Sequence, residues 1–150
     1  MNQPATLAHA GIATRVPHSG TMCLLDRLLG WTMDEIRCSV SGHRDPAHPL
    51  RHGGLLPSPT AIEYASQAMA LHGNLCAAVG AAPTPGFLAS VRGVRLCVAR
   101  LDDIAGELTV TARRLLGDAG QAQYGFTLHD ARGSLLVEGR ATVILNALPK

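Results

Sequence analysis

The stretch PTAIEYASQAMALHGNLCAAV, residues 59–79, is the longest segment with a regular pattern in the sequence. Pro59 suits the first turn of a helix, and Ser58 before it suits the N-terminal cap. Almost every position is apolar or small, except for a thin polar stripe at helical spacing: Glu63, Gln67 and Asn74. A helix that is apolar on almost every face must be buried on almost every face. We therefore expect residues 59–79 to form one central helix.

Segments with strand-like patterns lie on both sides of this helix. Upstream, residues 20–29 fit a short helix, residues 28–33 are able to open a strand, and residues 36–43 alternate between apolar and polar side chains. Downstream, turn signals built from Gly and Asp separate four segments that read as strands. These four segments are residues 87–101, 107–116, 121–128 and 135–145.

This order of elements predicts an α+β fold. An antiparallel β-sheet that wraps one long central helix is the plan of the hotdog fold. We expect residues 1–15 to be a loose N-terminal lead-in and residues 16–150 to form a single hotdog domain. Because one sheet covers only one side of an apolar helix, the pattern also predicts a dimer.

The composition excludes several classes of protein. Of 150 residues, 47% are hydrophobic and 16% are charged, which is the opposite of a disordered chain. A net charge of +2 and 3% aromatic residues are too low for a surface that binds nucleic acid. We find no run long enough for a membrane span and no signal-peptide pattern, so we expect a cytoplasmic protein. The widely spaced cysteines are expected to be buried thiols, and no pattern predicts a metal or a cofactor.

Three segments resemble the 3-hydroxyacyl-acyl-carrier-protein dehydratases of type II fatty acid synthesis. In residues 16–27, VPHSGTMCLLDR, a Pro-His pair precedes Leu-x-Asp-Arg, and His18 matches a structural turn residue of that signature. In residues 56–67, LPSPTAIEYASQ, the glutamate follows the first proline by six residues, as in the family. The third and weakest match is residues 95–110. The catalytic histidine of the family is absent, because Pro49 stands at its position. The segment GHRDP at residues 42–46, with PLR at 49–51, is similar to a divergent branch associated with aryl-polyene-type biosynthetic clusters.

The resemblance implies dehydration of a 3-hydroxyacyl thioester to a trans-2-enoyl product. This reaction needs a base for the α-proton, an acid for the leaving hydroxyl group and a donor for the thioester oxygen. Glu63 is the candidate acid, and the backbone N–H of Ser58, at the helix start, is the candidate donor. Gln67, one turn further on, is a candidate for substrate binding or for a hydrogen bond to Glu63. The alternative for Glu63 is a capping box with Thr60, a purely structural role.

Three histidines crowd the loop before the helix and are candidates for the catalytic base. His43 ranks first because it ends a predicted strand next to the helix, and His48 ranks second because it precedes Pro49. His52 lies among glycines and ranks third. The alternative for each is an ordinary loop or surface histidine.

The implied partners are an acyl carrier protein with a phosphopantetheine-linked acyl chain and a second hotdog chain, in a homodimer or a heterodimer. Five arginines are candidates to receive the acidic carrier or are simply a solvated basic face: Arg44, Arg51, Arg92, Arg95 and Arg100. Asp26 and Arg27 are expected to form a structural ion pair. Two other functions remain open: a hotdog acyl thioesterase, and a non-catalytic subunit that completes a heterodimeric dehydratase.

Overall fold

The fold was analysed in a computed structural model, which describes residue 12 and residues 23–76, 86–118 and 120–145. The predicted lead-in, His18 and the last residues of the predicted helix, 77–79, lie outside the described residues.

The predicted central helix is present as α1, Thr60–Cys76. It begins one residue after Pro59, whose fixed backbone ends the preceding turn. Ala65 and Met69 are buried as predicted, whereas Ile62 and Cys76 are only partly buried. The helix packs on strands β2, β4 and β5, defined below. Its opposite face, which includes Ile62, Glu63 and Ala70, remains partly accessible in the single chain.

Six antiparallel strands form one sheet, with the order β1-β2-β4-β5-β6-β3. Their bounds are β1 Arg27–Trp31, β2 Glu35–Val40, β3 Gly86–Leu96, β4 Leu108–Gly117, β5 Gln121–His129 and β6 Leu135–Leu145. The burial of side chains alternates along β5, so the sheet has one buried face and one more accessible face. Ala122, Tyr124, Phe126 and Leu128 are buried, and the residues between them are more accessible. An α+β hotdog architecture is therefore confirmed.

Three local predictions differ from the structure. Residues 23–29 are not helical, because the chain enters the sheet at Arg27. The third strand ends at Leu96 rather than near residue 101, because Leu101 donates its backbone N–H to the carbonyl of Leu56, 2.8 Å away, beside the start of the helix. Cys97 is exposed, so not every thiol is buried.

The predicted Asp26–Arg27 ion pair is also wrong. Asp26 accepts a hydrogen bond from the hydroxyl of Ser41, and Arg27 pairs with Glu107 at 2.9 Å. Arg27 is the first residue of β1, and it points away from the acid next to it in sequence.

The two edges of the sheet are unequal. Strand β1 has five residues, and its pairing with β2 shifts between Leu28 and Gly30. Strand β3 has eleven residues, pairs with β6 alone among the described strands, and contains a second shift between Arg92 and Arg95. Gly93, with φ +63°, supplies the left-handed conformation within that shift. The long edge is thus the one that offers backbone groups to another strand.

Candidate functional site

The loop that carries the three candidate histidines is held in place by Arg51. Its guanidinium group donates hydrogen bonds to the carbonyl oxygens of Asp45, Gly54 and Arg44, at 2.9, 3.0 and 3.0 Å. The side chain is 16% exposed and also lies 3.9 Å from the carboxylate of Asp102. A guanidinium group is planar and has five N–H donors, so it can form hydrogen bonds with several carbonyl groups at once. Arg51 therefore fixes the loop and is not free to receive a carrier protein.

Glu63 is oriented by Gln67, one helical turn away. The side-chain amide of Gln67 donates to Oε2 of Glu63 at 2.9 Å. The other end of the same amide, Oε1, accepts the backbone N–H of Leu24 at 2.8 Å. Because Gln67 is fully buried, these bonds lock its position. The predicted contact between Gln67 and Glu63 is therefore present, and Leu24 supplies its anchor.

The first helical turn does not use Glu63 as the predicted capping box would require. The backbone N–H of Thr60 donates to the carbonyl of Pro57 at 3.0 Å, and a tight turn satisfies the start of the helix. The carboxylate of Glu63 instead faces Gln67.

The backbone N–H of Ser58 is not an available oxyanion donor. It donates to the carbonyl of Ala99 at 3.1 Å, next to the bridge between Pro57 and Arg100. Residues 57 and 58 therefore pair with residues 99 and 100 before the helix starts. The sequence pattern around Pro59 did not predict this pairing. The hydroxyl group of Ser58 is buried and has no hydrogen-bond partner among the described residues.

His43 is almost completely enclosed, with 1% of its surface exposed. Nε2 lies 2.9 Å from the carbonyl oxygen of Ile104, so this nitrogen carries a proton and donates it. Nδ1 is then the unprotonated nitrogen, and it is buried without a hydrogen-bond partner in the described part of the chain. Burial lowers the pKa of His43 and keeps the ring neutral.

His48 is engaged at both ring nitrogens. Nδ1 accepts the backbone N–H of Leu50 at 3.0 Å, which leaves the proton on Nε2, 3.3 Å from the hydroxyl oxygen of Tyr64. Burial lowers the pKa of His48 and raises that of Tyr64. Tyr64 was missed in the sequence, although its position directly after Glu63 places it on the buried side of the same helical turn.

The structure brings these candidates into two groups and not into one. Glu63 belongs with Gln67, whereas His48 belongs with Tyr64. Within the described residues, no hydrogen bond joins Glu63 to a loop histidine. His52 is exposed in a turn, and its backbone forms hydrogen bonds with Leu55. Among these residues, no group of three or more potential ligands is arranged to hold a metal ion.

A family model described as ApeP-like, ApeP dehydratase, matches residues 10–148. The chain belongs to the ApeP-like dehydratase family. The match covers both the opening motif and the helix with Glu63 and Gln67, the two segments that carried the resemblance most strongly. A sequence search of curated proteins gave no match.

Solved structures similar to this ApeP-like chain include dehydratases and thioesterases. The dehydratase heterocomplex ApeI:P from Xenorhabdus doucetiae is 24% identical, with a TM-score of 0.76 over 93% of this chain and 91% of that chain. A thioesterase from Haemophilus influenzae is 14% identical, with a TM-score of 0.67 over 93% and 91%. Zebrafish thioesterase superfamily member 2 is 16% identical, with a TM-score of 0.64 over 93% and 99%. At these identities the likeness shows the hotdog fold alone.

The candidate carrier-binding arginines of the ApeP-like chain do not form one free surface. Arg95 pairs with Glu138 at 2.9 Å, and Arg100 pairs with Asp102. Arg44 and Arg92 are exposed. None of the helical residues described in this chain forms a segment with the length and hydropathy needed to cross a bilayer.

A third buried histidine in the ApeP-like chain, His72, ties the helix to the sheet. Nδ1 lies 2.7 Å from the hydroxyl oxygen of Tyr124, and Nε2 lies 2.8 Å from the carbonyl oxygen of Thr32. The ring is fully buried, and burial lowers its pKa. No local sequence pattern signals this role, because the partners are distant along the chain.

The three buried histidines predict a loss of stability in mild acid. Burial lowers the pKa of His43, His48 and His72, whereas a histidine in the unfolded chain titrates near the ordinary value of about 6.5. As the pH falls below about 6.5, the unfolded state takes up protons that the folded state does not, so the free energy of unfolding should decrease. Urea unfolding at intervals from pH 8 to pH 5 measures this slope. His72→Gln should make the slope shallower, and a stability that stays constant over this range would contradict the expectation.

Proposed function

We propose that this ApeP-like protein dehydrates 3-hydroxyacyl thioesters carried on an acyl carrier protein. The observation that carries the proposal is the orientation of Glu63. Its carboxylate lies on the partly accessible face of α1 and is held by Gln67, which is anchored to Leu24. A carboxyl group fixed in this way can deliver a proton at a defined place. Membership of the ApeP-like dehydratase family supports the choice of reaction.

The proposed reaction removes water across the bond between C2 and C3 of the acyl chain. A base takes the proton from C2, whose electron pair forms the new double bond. The C3–O bond breaks, and protonated Glu63 gives its proton to the departing hydroxyl group. Water and a trans-2-enoyl thioester leave the site, so no oxidant or reductant is needed.

We assign the base to a histidine across a subunit interface. Of the two buried loop histidines, His43 is the one whose unprotonated nitrogen, Nδ1, lacks a partner among the described residues. His43 is enclosed by its own chain, and no hydrogen bond joins it to Glu63 within the described part. We therefore propose that a second hotdog chain completes the site. The long edge of β3 and the accessible face of α1 are the surfaces suited to that pairing.

Two versions of this assembly differ in the origin of the base. In a homodimer, His43 of one chain and Glu63 of the other share a site, and a shift of the histidine loop exposes Nδ1. In a heterodimer, a related hotdog chain supplies the base. The second version is favoured by the engagement of both His48 nitrogens and by the enclosure of His43.

The first test identifies the product. The purified protein, alone and with a co-expressed second hotdog chain, is incubated with a 3-hydroxyacyl thioester and with a saturated acyl thioester on acyl carrier protein. We expect mass spectrometry to show loss of water from the first substrate only. Release of free thiol from the saturated substrate, without an enoyl product, would instead identify a thioesterase in which Glu63 activates water.

Subunit sharing can be tested by mixing two inactive variants. Glu63→Gln and His43→Gln dimers, mixed in equal amounts and allowed to exchange, should recover about a quarter of the wild-type activity, because half of the dimers are mixed and each has one intact site. The homodimer version is wrong if the mixture stays inactive and the wild-type chain works only with a second hotdog protein. A monomer at micromolar concentration in sedimentation analysis would exclude the homodimer version, and no association with the second hotdog chain would exclude the heterodimer version.

A further inference from the structure

Three arginines lie in one row across the face of the sheet that points away from the core. Arg113 on β4 is paired with Gly125 on β5, Gly125 with Arg140 on β6, and Arg140 with Arg92 on β3. All three arginines are exposed, and their neighbours Ala112 and Ala141 are buried on the other face. Because neighbouring strands lie about 4.8 Å apart, Arg140 and Arg92 stand side by side, and Arg113 stands about 10 Å from Arg140. We call this set the arginine row.

Gly125 leaves a gap in the middle of the arginine row. Gly125 lies between Arg113 and Arg140 on the strand that separates them, and it has no side chain. A Cβ placed on Gly125 would meet only Leu115, at 3.8 Å, so the space above the backbone is open. Glycine inside a strand often marks a place where a ligand approaches the backbone closely. The gap is part of a groove of about 770 Å³ whose lining also includes Thr111 and Thr127.

The charges of this groove are only partly compensated. Glu35 pairs with Arg113 at 3.1 Å at one end, and Glu138 pairs with Arg95 at 2.9 Å in the next row. Arg92 and Arg140 form no ion pair among the described residues, although they face each other on neighbouring strands. Like charges directly opposite each other on a sheet are unfavourable. An anion between them would remove that repulsion.

We propose that the groove over Gly125 binds a small ligand with two linked phosphate groups. One phosphate lies above Gly125, where Arg113 and Arg140 reach it from opposite sides, and the second lies between Arg140 and Arg92. Guanidinium groups bind phosphate oxygens through paired hydrogen bonds. The hydroxyl group of Thr127, on the same strand as Gly125, is an additional donor.

The size of the groove favours a small ligand over a protein partner. The volume lies within the range of small-molecule sites, and Gly125 leaves the backbone between Arg113 and Arg140 without a covering side chain. This binding site lies on the face of the sheet opposite to the helix that carries Glu63, so it is independent of the proposed dehydration.

Pyrophosphate is the probe for the test, with orthophosphate and sulfate as comparisons at constant ionic strength. Isothermal titration calorimetry of the full-length protein should show pyrophosphate binding more tightly than the single anions. Arg140→Gln and Arg92→Gln should each weaken the binding by at least about tenfold. Gly125→Leu keeps every charge but fills the gap, and it should weaken binding to a similar extent. Arg132→Gln, an exposed arginine in the turn before β6, is the control and should leave the binding unchanged.

Several outcomes would overturn the proposal. Equal affinity for all three anions, or an equal loss in Arg132→Gln, would show nonspecific attraction to a basic surface. Unchanged binding in Gly125→Leu would place the anion elsewhere. Binding of an acidic carrier protein that Arg140→Gln abolishes, without any pyrophosphate binding, would identify this face as a protein-docking surface. Circular dichroism and the product assay above show whether each variant is folded, separately from ligand binding.

Discussion

Replacing Glu63 with Gln should lower the rate of dehydration by at least about a hundredfold, because the proton that leaves with the hydroxyl group would have no donor. The free energy of unfolding should change by about 1 kcal/mol or less, since the Gln side chain still has an oxygen that can accept the hydrogen bond from Gln67. The measurement is the initial rate of enoyl formation on a carrier-bound 3-hydroxyacyl thioester, together with urea unfolding of both proteins. The experiment uses whichever assembly, alone or with its partner, is active.

Glu107→Gln is the matched control for this substitution. Glu107 is a glutamate on the surface that pairs with Arg27, and among the described residues no hydrogen bond or ion pair joins its side chain to Gln67 or the histidine loop. Its replacement should leave the rate unchanged. If Glu63→Gln retains full turnover, Glu63 has a structural role and the base and acid both come from another chain.

Replacing Arg51 with Met should destabilise the protein by about 3 kcal/mol, the largest loss that we expect from a single charged residue here. Met has a similar length but no donors, so the carbonyl groups of Arg44, Asp45 and Gly54 lose hydrogen bonds from a charged partner. The loop that carries His43 and His48 should loosen at the same time. Hydrogen exchange of residues 42–56 and the midpoint of urea unfolding measure the two effects.

Arg100→Met is the control for Arg51. Both arginines lie beside the carboxylate of Asp102, but Arg100 is more exposed, and its ion-pair partners among the described residues are the two acids of one turn, Asp102 and Asp103. The loss of stability should be clearly smaller in this variant, and residues 42–56 should keep their protection from exchange. Equal losses in the two variants would mean that the ion pair with Asp102, and not the bonds to the loop, accounts for the effect.

The periodicity of apolar residues predicted the regular secondary structure of this fold. The apolar pattern of residues 59–79 identified α1, and the alternation in residues 36–43 identified β2, because both depend on which side chains face the core. The hydrogen bond from Gln67 to Glu63 could also be predicted from the sequence, since residues four apart on a helix are neighbours.

The errors concern backbone groups and contacts between distant parts of the chain. Ser58 looked like a donor at a helix start, but its N–H is taken by Ala99, which is 41 residues away in sequence. Asp26 and Arg27 are adjacent and of opposite charge, yet each is paired elsewhere because successive residues at a strand start point in different directions. The link from His72 to Tyr124 depends on the packing of the helix on the sheet, and no local pattern encodes it.

The inequality of the two sheet edges also limits how far such chains can aggregate. Two β3 edges can join through their open backbone groups, and a twofold arrangement then leaves only the β1 edges at the ends. Strand β1 is five residues long and shifts its register halfway, so a further strand would find few hydrogen bonds in line. A short edge with a shifted register is a poor template for a further strand, which works against growth into an open-ended fibre.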